Sequence, residues 1–415
     1  MMRFRRLHYG WVMVILAMFV LATHSMTIYT FGVFLRPVTM EFGWERGALS
    51  VAQSITMLVG GVLAIFTGRL SDRYGPRLLV TVSGLLAGMA FLLMSRVSSL
   101  WQAYLIWGLL IGIAFGCCMI PVLSTIPRWF TRRRGVAVGL TMVGFGLGGV
   151  IWPPVAQWLI SSCGWQHAYV TLGIVTLIIV IPMAQFMKRS PQVIGLKPFG
   201  DENVIAKVQS STPAVEGLSL KQVIKTGRFW IFGLVSFGFV FCMQLIVVHI
   251  APHAIDSGIL AIVAASIVSI IAAVSLIGRL GIGFLSDRLG AVPALTACLL
   301  IFALALIWIL FAKEVWMFYI FAIIYGIAYG GEAAVMVLVP AELFGLKYVG
   351  VITAATFLMG AIGGAIGAPF GGHIFDITGR YDLAFVICII VSALAFILSM
   401  ILLRSGGKMG QVMAE

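Results

Sequence analysis

The sequence has few charged residues: Asp, Glu, Lys and Arg make up only 10 % of its 415 residues. Soluble proteins carry about 25 %, so this composition excludes an ordinary soluble domain. Acidic residues are the scarcest, with 14 Asp and Glu against 27 Lys and Arg and a net charge of +13. The basic residues lie in short loops between apolar runs, where membrane orientation explains them better than nucleic-acid binding does. We therefore expect no nucleic-acid partner.

Cysteine is also scarce, and its spacing argues against a redox or zinc site. The six cysteines lie singly or as one adjacent pair in apolar segments, without a CxxC motif or a nearby pair of histidines. We interpret them as small packing residues. A nucleotide-binding loop, a metal-ligand cluster and a nucleophile with its base are also missing from the sequence. The sequence thus predicts neither an enzyme nor a cofactor.

Apolar side chains are abundant and make up 61 % of the chain. A helix that spans a bilayer needs about 20 mainly apolar residues. We find twelve such runs, at 9–35, 47–68, 78–95, 100–126, 136–161, 166–187, 229–255, 260–285, 292–312, 315–341, 348–375 and 381–403. The sequence therefore predicts an all-α membrane protein that crosses the lipid bilayer twelve times.

The distribution of basic residues predicts the orientation of these helices. Twelve spans place both termini on one side of the membrane, and that side receives 21 of the 27 Lys and Arg residues. Short loops rich in Lys and Arg face the cytoplasm. We expect both termini to be cytoplasmic, with the protein in the plasma membrane or, in a bacterium, the inner membrane.

One long hydrophilic stretch divides the chain into two halves of six spans each. It contains three prolines and a Ser-Ser-Thr run, which is typical of a linker. We predict a six-helix bundle at 1–187, a cytoplasmic linker at 188–227 and a second six-helix bundle at 228–415.

The two halves also repeat each other, which indicates a duplicated six-helix unit. The segment 68–75, GRLSDRYG, recurs at a shift of 215 residues as 283–290, GFLSDRLG. Gly135, Gly148 and Pro154 recur at the same shift as Gly350, Gly363 and Pro369.

The repeated segment resembles the signature loop of the major facilitator superfamily, and the resemblance covers the whole chain in register. Gly10-Trp11 and the segment 128–140, RWFTRRRGVAVGL, resemble the monocarboxylate and oxalate:formate porter branch. The resemblance implies the major facilitator fold, with two six-helix repeats around a midplane site. It also implies a gating role for the loop residues Gly68, Asp72, Arg73, Gly75, Asp287 and Arg288.

Arg279 is the strongest single indication of function. It is the only ionisable residue in the membrane-length run 261–285, and a charge at that depth usually faces water or a partner. Its guanidinium is a planar fork of donors that suits a carboxylate. In the porter branch an arginine of the eighth helix receives the substrate carboxylate, and Arg279 stands at that place. A structural salt bridge between helices is the alternative.

Glu332 is the predicted counter-charge of Arg279, because it lies at a similar depth in the tenth span. With Tyr325 and Tyr329 it forms one polar face. We predict that Glu332 balances Arg279 in the empty site and takes up a proton when a substrate anion displaces it. A constitutive ion pair between the two residues is the competing interpretation.

Further polar residues in the spans are candidates for the substrate path or the proton path. For substrate binding, besides Arg279, we name His24, Tyr29, Tyr329, Thr356 and Phe357. For proton coupling, besides Glu332, we name His249 and Asp256 near the end of the seventh span. The alternative for His24 is a histidine satisfied by a backbone carbonyl, and for Thr356 and Phe357 it is ordinary helix packing. For His249 and Asp256 it is a hydrated helix end.

A single cation at the site favours a monoanion over a dianion. We therefore predict a secondary transporter of small organic anions, a proton-coupled symporter of lactate-like or pyruvate-like monocarboxylates working by alternating access. Its partners would be the anion, protons and the bilayer. An anion:anion antiporter, in which Arg279 is never empty, is one alternative. A membrane sensor that binds a carboxylate without moving it is another.

Overall fold

The protein is almost entirely helical in a computed structural model, which describes residues 8–131, 133–200, 220–336, 338–345 and 348–406. Within these residues, eleven helices are long and apolar enough to cross a membrane, and one of them, Gly135–Phe186, contains a break. Gly164 has φ 82° and ψ 161° and divides this helix in two.

The predicted twelve spans are thereby confirmed, and we label them α1 to α12. They are α1 Tyr9–Phe42, α2 Arg46–Tyr74, α3 Pro76–Met94, α4 Leu100–Trp129, α5 134–163, α6 165–186, α7 Gly227–Asp256, α8 Ala261–Leu289, α9 Ala291–Ile309, α10 Val315–Val335, α11 Val349–Thr378 and α12 Asp382–Gly406.

Helix α1 is interrupted twice, and the interruptions frame a short segment, Met26–Tyr29. The Ser25 and Thr30 hydroxyls donate to the carbonyls of Ala22 and Met26. Such bonds from a side chain back to the preceding turn often bend helices. The interruptions set the direction from which Tyr29 approaches the neighbouring helices.

The duplication is visible in the packing as well as in the sequence. Gly148 of α5 packs against the carbonyl of Ala22 in α1, and Gly363 of α11 packs against the carbonyl of Phe237 in α7. Both members of the second pair follow the first at the shift of 215 residues. Small residues allow membrane helices to approach this closely. The crossing of α1 and α5 in the first half is therefore equivalent to that of α7 and α11 in the second.

The repeated loop motifs end in the same turn. Gly75, between α2 and α3, has φ 82° and ψ 167°, and Gly290, between α8 and α9, has φ 95° and ψ 162°. Only glycine adopts this conformation readily. The glycine that closes each motif is therefore required by the backbone.

The two halves are packed together at one end of the bundle and separate toward the other. We call the end with the start of α1 and the finish of α12 the terminal face, and the opposite end the distal face. A Cβ added at Gly149 or Gly146 of α5 would lie 2.6 or 2.5 Å from Ala272 or Leu276 of α8. Nearer the terminal face, no atom of the described residues lies within 4 Å of such a position at Gly135 or Gly139, which share the helix face of Gly146, or at Gly283, which shares the helix face of Leu276. The space between α5 and α8 is thus a cleft that opens on the terminal face.

The described start of the predicted linker, 188–200, folds back onto the first half. The Phe199 amide donates to the Trp129 carbonyl at 2.8 Å, and its ring lies 5.8 Å from that of Trp11. The Trp11 ring in turn contacts that of Phe130, with 5.0 Å between centroids. The two segments that resemble the porter branch therefore pack on each other at the terminal face. A short helix, Leu220–Val223, precedes α7, and residues 201–219 lie outside the described part.

Candidate functional site

Arg279 lies on α8 at the closed end of the cleft, one turn beyond the packed layer of Gly146 and Leu276. Its side chain is half-buried. The Nε and Nη1 atoms are buried and have no hydrogen-bond partner among the described residues. Because a buried donor without an acceptor costs free energy, this guanidinium is suited to receive an anion from the cleft.

Two tyrosines connect the halves beside Arg279. Tyr29 of α1 and Tyr329 of α10 are both buried, and their hydroxyl oxygens lie 3.1 Å apart. The Tyr329 ring stacks on that of Tyr325 with 6.2 Å between centroids. Arg279 lies within electrostatic range of the Tyr29 hydroxyl. The structure thus brings together three of the predicted substrate-binding residues, Arg279, Tyr29 and Tyr329, which we call the central cluster.

Glu332 lies near the central cluster but is not bound to Arg279. Its side chain is buried, with 6 % of the residue exposed, and Arg279 lies within electrostatic range. No ion pair within 4 Å joins the two residues, although both are fully described. A buried carboxyl without a bound cation is held more cheaply in its neutral form. The arrangement provides a site where a proton can reside close to the cation.

His24 is buried in the first half, at the end of the first segment of α1. Its ring stacks on that of Phe115 in α4, with 5.9 Å between centroids. Neither ring nitrogen has a hydrogen-bond partner in the described part of the chain. His24 is therefore not hydrogen-bonded to a carbonyl of the described residues, which was the predicted alternative.

The two candidates on α11 stay outside the central cluster. The buried Thr356 hydroxyl donates to the Thr353 carbonyl at 2.9 Å, and the Thr356 carbonyl accepts from Ser236. Phe357 is 54 % exposed. Among the described contacts, neither makes a polar or ring contact with Arg279 or the tyrosines.

The two proton-path candidates on α7 lie at the distal face. His249 is buried, with Nδ1 3.1 Å from the Tyr381 hydroxyl and Nε2 2.7 Å from the Ala368 carbonyl. Asp256 accepts two hydrogen bonds from Arg46, at 2.5 and 3.1 Å. Both residues belong to a polar network at the end of the bundle opposite the cleft opening.

The signature-loop residues lie at the terminal face. Asp287 and Arg288 are exposed, and the Arg288 guanidinium lies 4.4 Å from the Phe284 ring centroid. Neither forms an ion pair with a residue that the structure describes. The side chains of Asp72 and Arg73 and the surroundings of Gly68 lie outside the described part, so the predicted gate is seen only in its second copy.

The residues predicted from the sequence included Asp256 but not Arg46, Asp376 or Tyr381, which join the halves at the distal face. Arg46 bonds Asp256 and the Tyr381 hydroxyl, which lie 210 and 335 positions further along the chain. Asp376 accepts from the backbone amides of Arg46 and Gly47. The only signal was the scarcity of charge itself, since Arg46 is one of few basic residues on that side.

Comparisons with known proteins agree with this architecture. A family model for the Major Facilitator Superfamily matches residues 17–291 and 258–410. Monocarboxylate transporter 13 of Rattus norvegicus is 29 % identical over 389 residues, which cover 91 % of this chain and 85 % of the relative. Monocarboxylate transporter 11 of Homo sapiens is 31 % identical over 332 residues, which cover 77 % of this chain and 67 % of the relative.

A solved structure shares the fold at low sequence identity. A bacterial homolog to the human lysosomal transporter Spinster, in an inward-facing and occupied conformation, aligns with a TM-score of 0.76. The alignment covers 96 % of this chain and 97 % of that one at 14 % identity. The matches confirm what the repeated loop and the two porter-like segments predicted: the chain belongs to the major facilitator superfamily, in the branch of the monocarboxylate transporters, and is a multi-pass membrane transporter rather than an enzyme.

Proposed function

We propose that the protein is a proton-coupled symporter of small monocarboxylates that works by alternating access. The observation that carries the proposal is the Arg279 guanidinium, which lies at the closed end of the cleft with two buried nitrogens that no described residue bonds. A carboxylate that enters from the terminal face would meet these donors at the closed end of the cleft. The names of the monocarboxylate transporter relatives support the same substrate class.

The charge of the site favours a monoanion. Arg279 is the only Lys or Arg inside its membrane-length run, and no second cation stands in the described central cluster. One guanidinium neutralises one carboxylate, while the aromatic rings of Tyr29 and Tyr329 suit the apolar part of a small organic acid. A second negative charge on the substrate would remain desolvated and unpaired, which is costly.

The direction of the cleft follows from the charge distribution. The twelve-span topology assigns 21 of the 27 basic residues to the side of the membrane that holds both termini. By the positive-inside rule this side, and with it the terminal face, is the cytoplasm of a cell whose plasma membrane holds the protein. The structure then corresponds to an inward-open state. Transport requires the halves to rock so that the cleft closes toward the cytoplasm and opens at the distal face.

Proton coupling is assigned to Glu332. Its carboxyl is buried near Arg279 without contacting it. When a substrate carboxylate binds Arg279, a nearby ionised Glu332 would repel it, and protonation removes that repulsion. Anion binding and proton binding thus favour each other, which is the condition for symport. His249 and Asp256 would extend a proton path only at the distal face.

Anion exchange is the second candidate, and one observation favours it. Arg279 has no internal counter-ion within ion-pair distance among the described residues. If that charge tolerated the conformational change only when an anion is bound, the empty protein could not complete a cycle. Uptake would then depend on preloaded anion rather than on a proton gradient.

The test is uptake of labelled lactate, pyruvate and longer monocarboxylates into proteoliposomes, with and without an inward proton gradient. We expect gradient-driven uptake that Arg279→Gln lowers roughly 30-fold or more, because removing one partner of a desolvated charge pair is expensive. Arg404→Gln, at an exposed residue of α12, is the matched control. Uptake that is indifferent to Arg279→Gln would place the binding site elsewhere.

Glu332→Gln separates the two coupling modes. Symport predicts that this variant still takes up substrate but no longer responds to the proton gradient, whereas Glu314→Gln, in an exposed loop, responds as the parent does. Unchanged coupling in Glu332→Gln would remove Glu332 from the proton path. Uptake by the parent that needs preloaded anion and ignores the gradient would establish exchange.

A further inference from the structure

Two arginines of the first half reach Asp256 of the second half at the distal end of the bundle. Arg36 of α1 lies with its Nε 3.4 Å from Asp256 Oδ1, and Arg46 forms the shorter hydrogen bonds. Arg46, at the start of α2, belongs to the first half, and all its side-chain partners belong to the second. Its Nη1 donates to Asp256 at 2.5 Å and to the Tyr381 hydroxyl at 2.9 Å, and its Nη2 donates to Asp256 at 3.1 Å. Its guanidinium carbon lies 3.8 Å from the Phe375 ring centroid. Bidentate arginine–carboxylate bonds are among the stronger polar contacts in proteins.

A second carboxylate accepts hydrogen bonds across the boundary between the two halves. Asp376, near the end of α11, accepts from the backbone amides of Arg46 at 2.9 Å and of Gly47 at 2.7 Å. These amides form the positive N-terminus of α2, where a carboxylate is stabilising. The residue before the helix, Glu45, makes no capping bond of its own. The first half therefore depends on the second for the cap of α2.

The location of this network distinguishes it from an ordinary surface ion pair. Arg46 is 9 % exposed, so its bonds are only weakly screened by water. Gly372 of α11 packs against the backbone of Gly47, so the two helices touch beneath the ion pairs. None of these contacts survives if the halves separate at this face.

We propose that Arg46, Asp256, Asp376 and Tyr381 form a distal latch, whose release is the step that opens the transporter to the side opposite the present cleft. This proposal rests on the alternating-access cycle proposed above and assigns Arg46 as its gating residue at the distal face. The latch holds the halves together while the cleft is open on the terminal face. Water replaces its bonds when the distal mouth opens, because all its groups are polar and lie near the bundle end.

Ser54 provides a reporter for the opening. It lies eight residues, or about 12 Å, along α2 from Arg46, is buried, and donates to the Ala365 carbonyl of the second half. A cysteine at this position is covered in the present state and becomes accessible when the distal mouth opens. The reporter is Ser54→Cys in a Cys163→Ser background, since Cys163 is the one exposed cysteine in the described chain.

The experiment measures the rate at which a membrane-impermeant maleimide labels the reporter in the membrane, from the side on which wild-type Cys163 reacts. We expect Arg46→Gln to raise the rate about ten-fold or more, because bonds to charged groups are lost. Asp256→Asn should raise it at least as much, because it also removes the ion pair with Arg36 at 3.4 Å. Adding Arg46→Gln to Asp256→Asn should then change little, since the contact between Arg46 and Asp256 is already lost. Arg380→Gln is the control, because it removes a charge from the same face at an exposed residue.

A parent-like labelling rate in Arg46→Gln, in protein that reaches the membrane at the parent level, would overturn the latch. If Arg46→Gln does not reach the membrane, Arg46→Lys and Tyr381→Phe decide the question. Each loses part of the network and should give a smaller increase, and no increase in either would overturn the proposal. The labelling requires no substrate. A failure of the latch is therefore distinguishable from a failure of monocarboxylate transport, which the Arg279 variants test.

Discussion

At the scale of single residues, the centre of the bundle contains polar groups that the protein itself leaves unsatisfied. The Arg279 nitrogens Nε and Nη1 and both ring nitrogens of His24 are buried and have no hydrogen-bond partner in the part of the chain that the structure describes. Buried polar groups are normally bonded, so exceptions indicate a function or an absent ligand. Arg279 faces the end of a cleft and His24 packs on an aromatic ring. Of the two, Arg279 therefore has the better access to a ligand.

The hydrogen bond between Tyr29 and Tyr329 gives a first residue-scale prediction. Tyr29→Phe or Tyr329→Phe alone leaves the partner hydroxyl buried without its bond, and each should lower the free energy of unfolding by ~1–2 kcal/mol. The double variant replaces both hydroxyls with apolar edges and should be close to the parent. Thermal unfolding of the four proteins in the same detergent measures this.

The double variant decides whether the two hydroxyls interact. If its loss of stability equals the sum of the two single losses, the hydroxyls act independently and do not bridge the halves. A double variant more stable than either single variant would support the contact at 3.1 Å between the hydroxyl oxygens.

At the scale of helices, glycine determines how closely elements approach and therefore where the site residues lie. Gly278 of α8 packs against the Ile327 carbonyl of α10, and Gly330 of α10 packs against the Ser275 carbonyl of α8. Backbone contact of this kind fixes the two helices against each other. Arg279 directly follows Gly278, so its position relative to α10 is set by this contact.

The turn between α8 and α9 gives a prediction at this scale. Gly290→Ala places a side chain at φ 95° and ψ 162°, a region that is essentially restricted to glycine, and should cost ~1–3 kcal/mol of unfolding free energy. Gly281→Ala is the matched control, because that residue is helical and the space beside it is open. Alanine is favoured over glycine in a helix by ~0.5–1 kcal/mol, so the control should be no less stable than the parent. Equal stability of the two variants would mean that the turn does not need glycine.

At the scale of the whole molecule, the sequence was sufficient to predict what local composition and repetition determine. Hydrophobic runs predicted the twelve spans, and the shift of 215 residues predicted equivalent crossings, as Gly148 and Gly363 illustrate. Arg279 was identified because a charge inside a membrane-length apolar run is expensive and therefore conspicuous. Each of these signals is contained in a single segment or in its repeat.

The contacts between the halves could not be predicted in this way. Tyr29 and Tyr329 lie 300 residues apart, and Arg46 and Asp256 lie 210 apart. No local sequence pattern predicts such contacts, because they depend on how the two folded six-helix bundles pack against each other. The interruption of α1 at Ser25 was equally hidden, since its residues are ordinary polar members of an apolar run.

The orientation of the whole molecule can be checked with the wild-type chain. Cys163 is exposed and stands just before Gly164 in the distal turn between α5 and α6, whereas the other five cysteines are buried. If the terminal face is cytoplasmic, a membrane-impermeant maleimide added to intact cells should label the protein at Cys163. Cys163→Ser should abolish that labelling.

Permeabilised cells supply the reference for that labelling. Reaction at Cys163 in both intact and permeabilised cells fixes the distal face outside, so the present cleft faces the cytoplasm and the latch of Arg46 closes the outer mouth. Reaction only after permeabilisation would reverse the orientation inferred from the 21 basic residues. The same cleft would then face outward. Arg279 would still lie at its closed end, but the anion would reach it from the opposite side of the membrane.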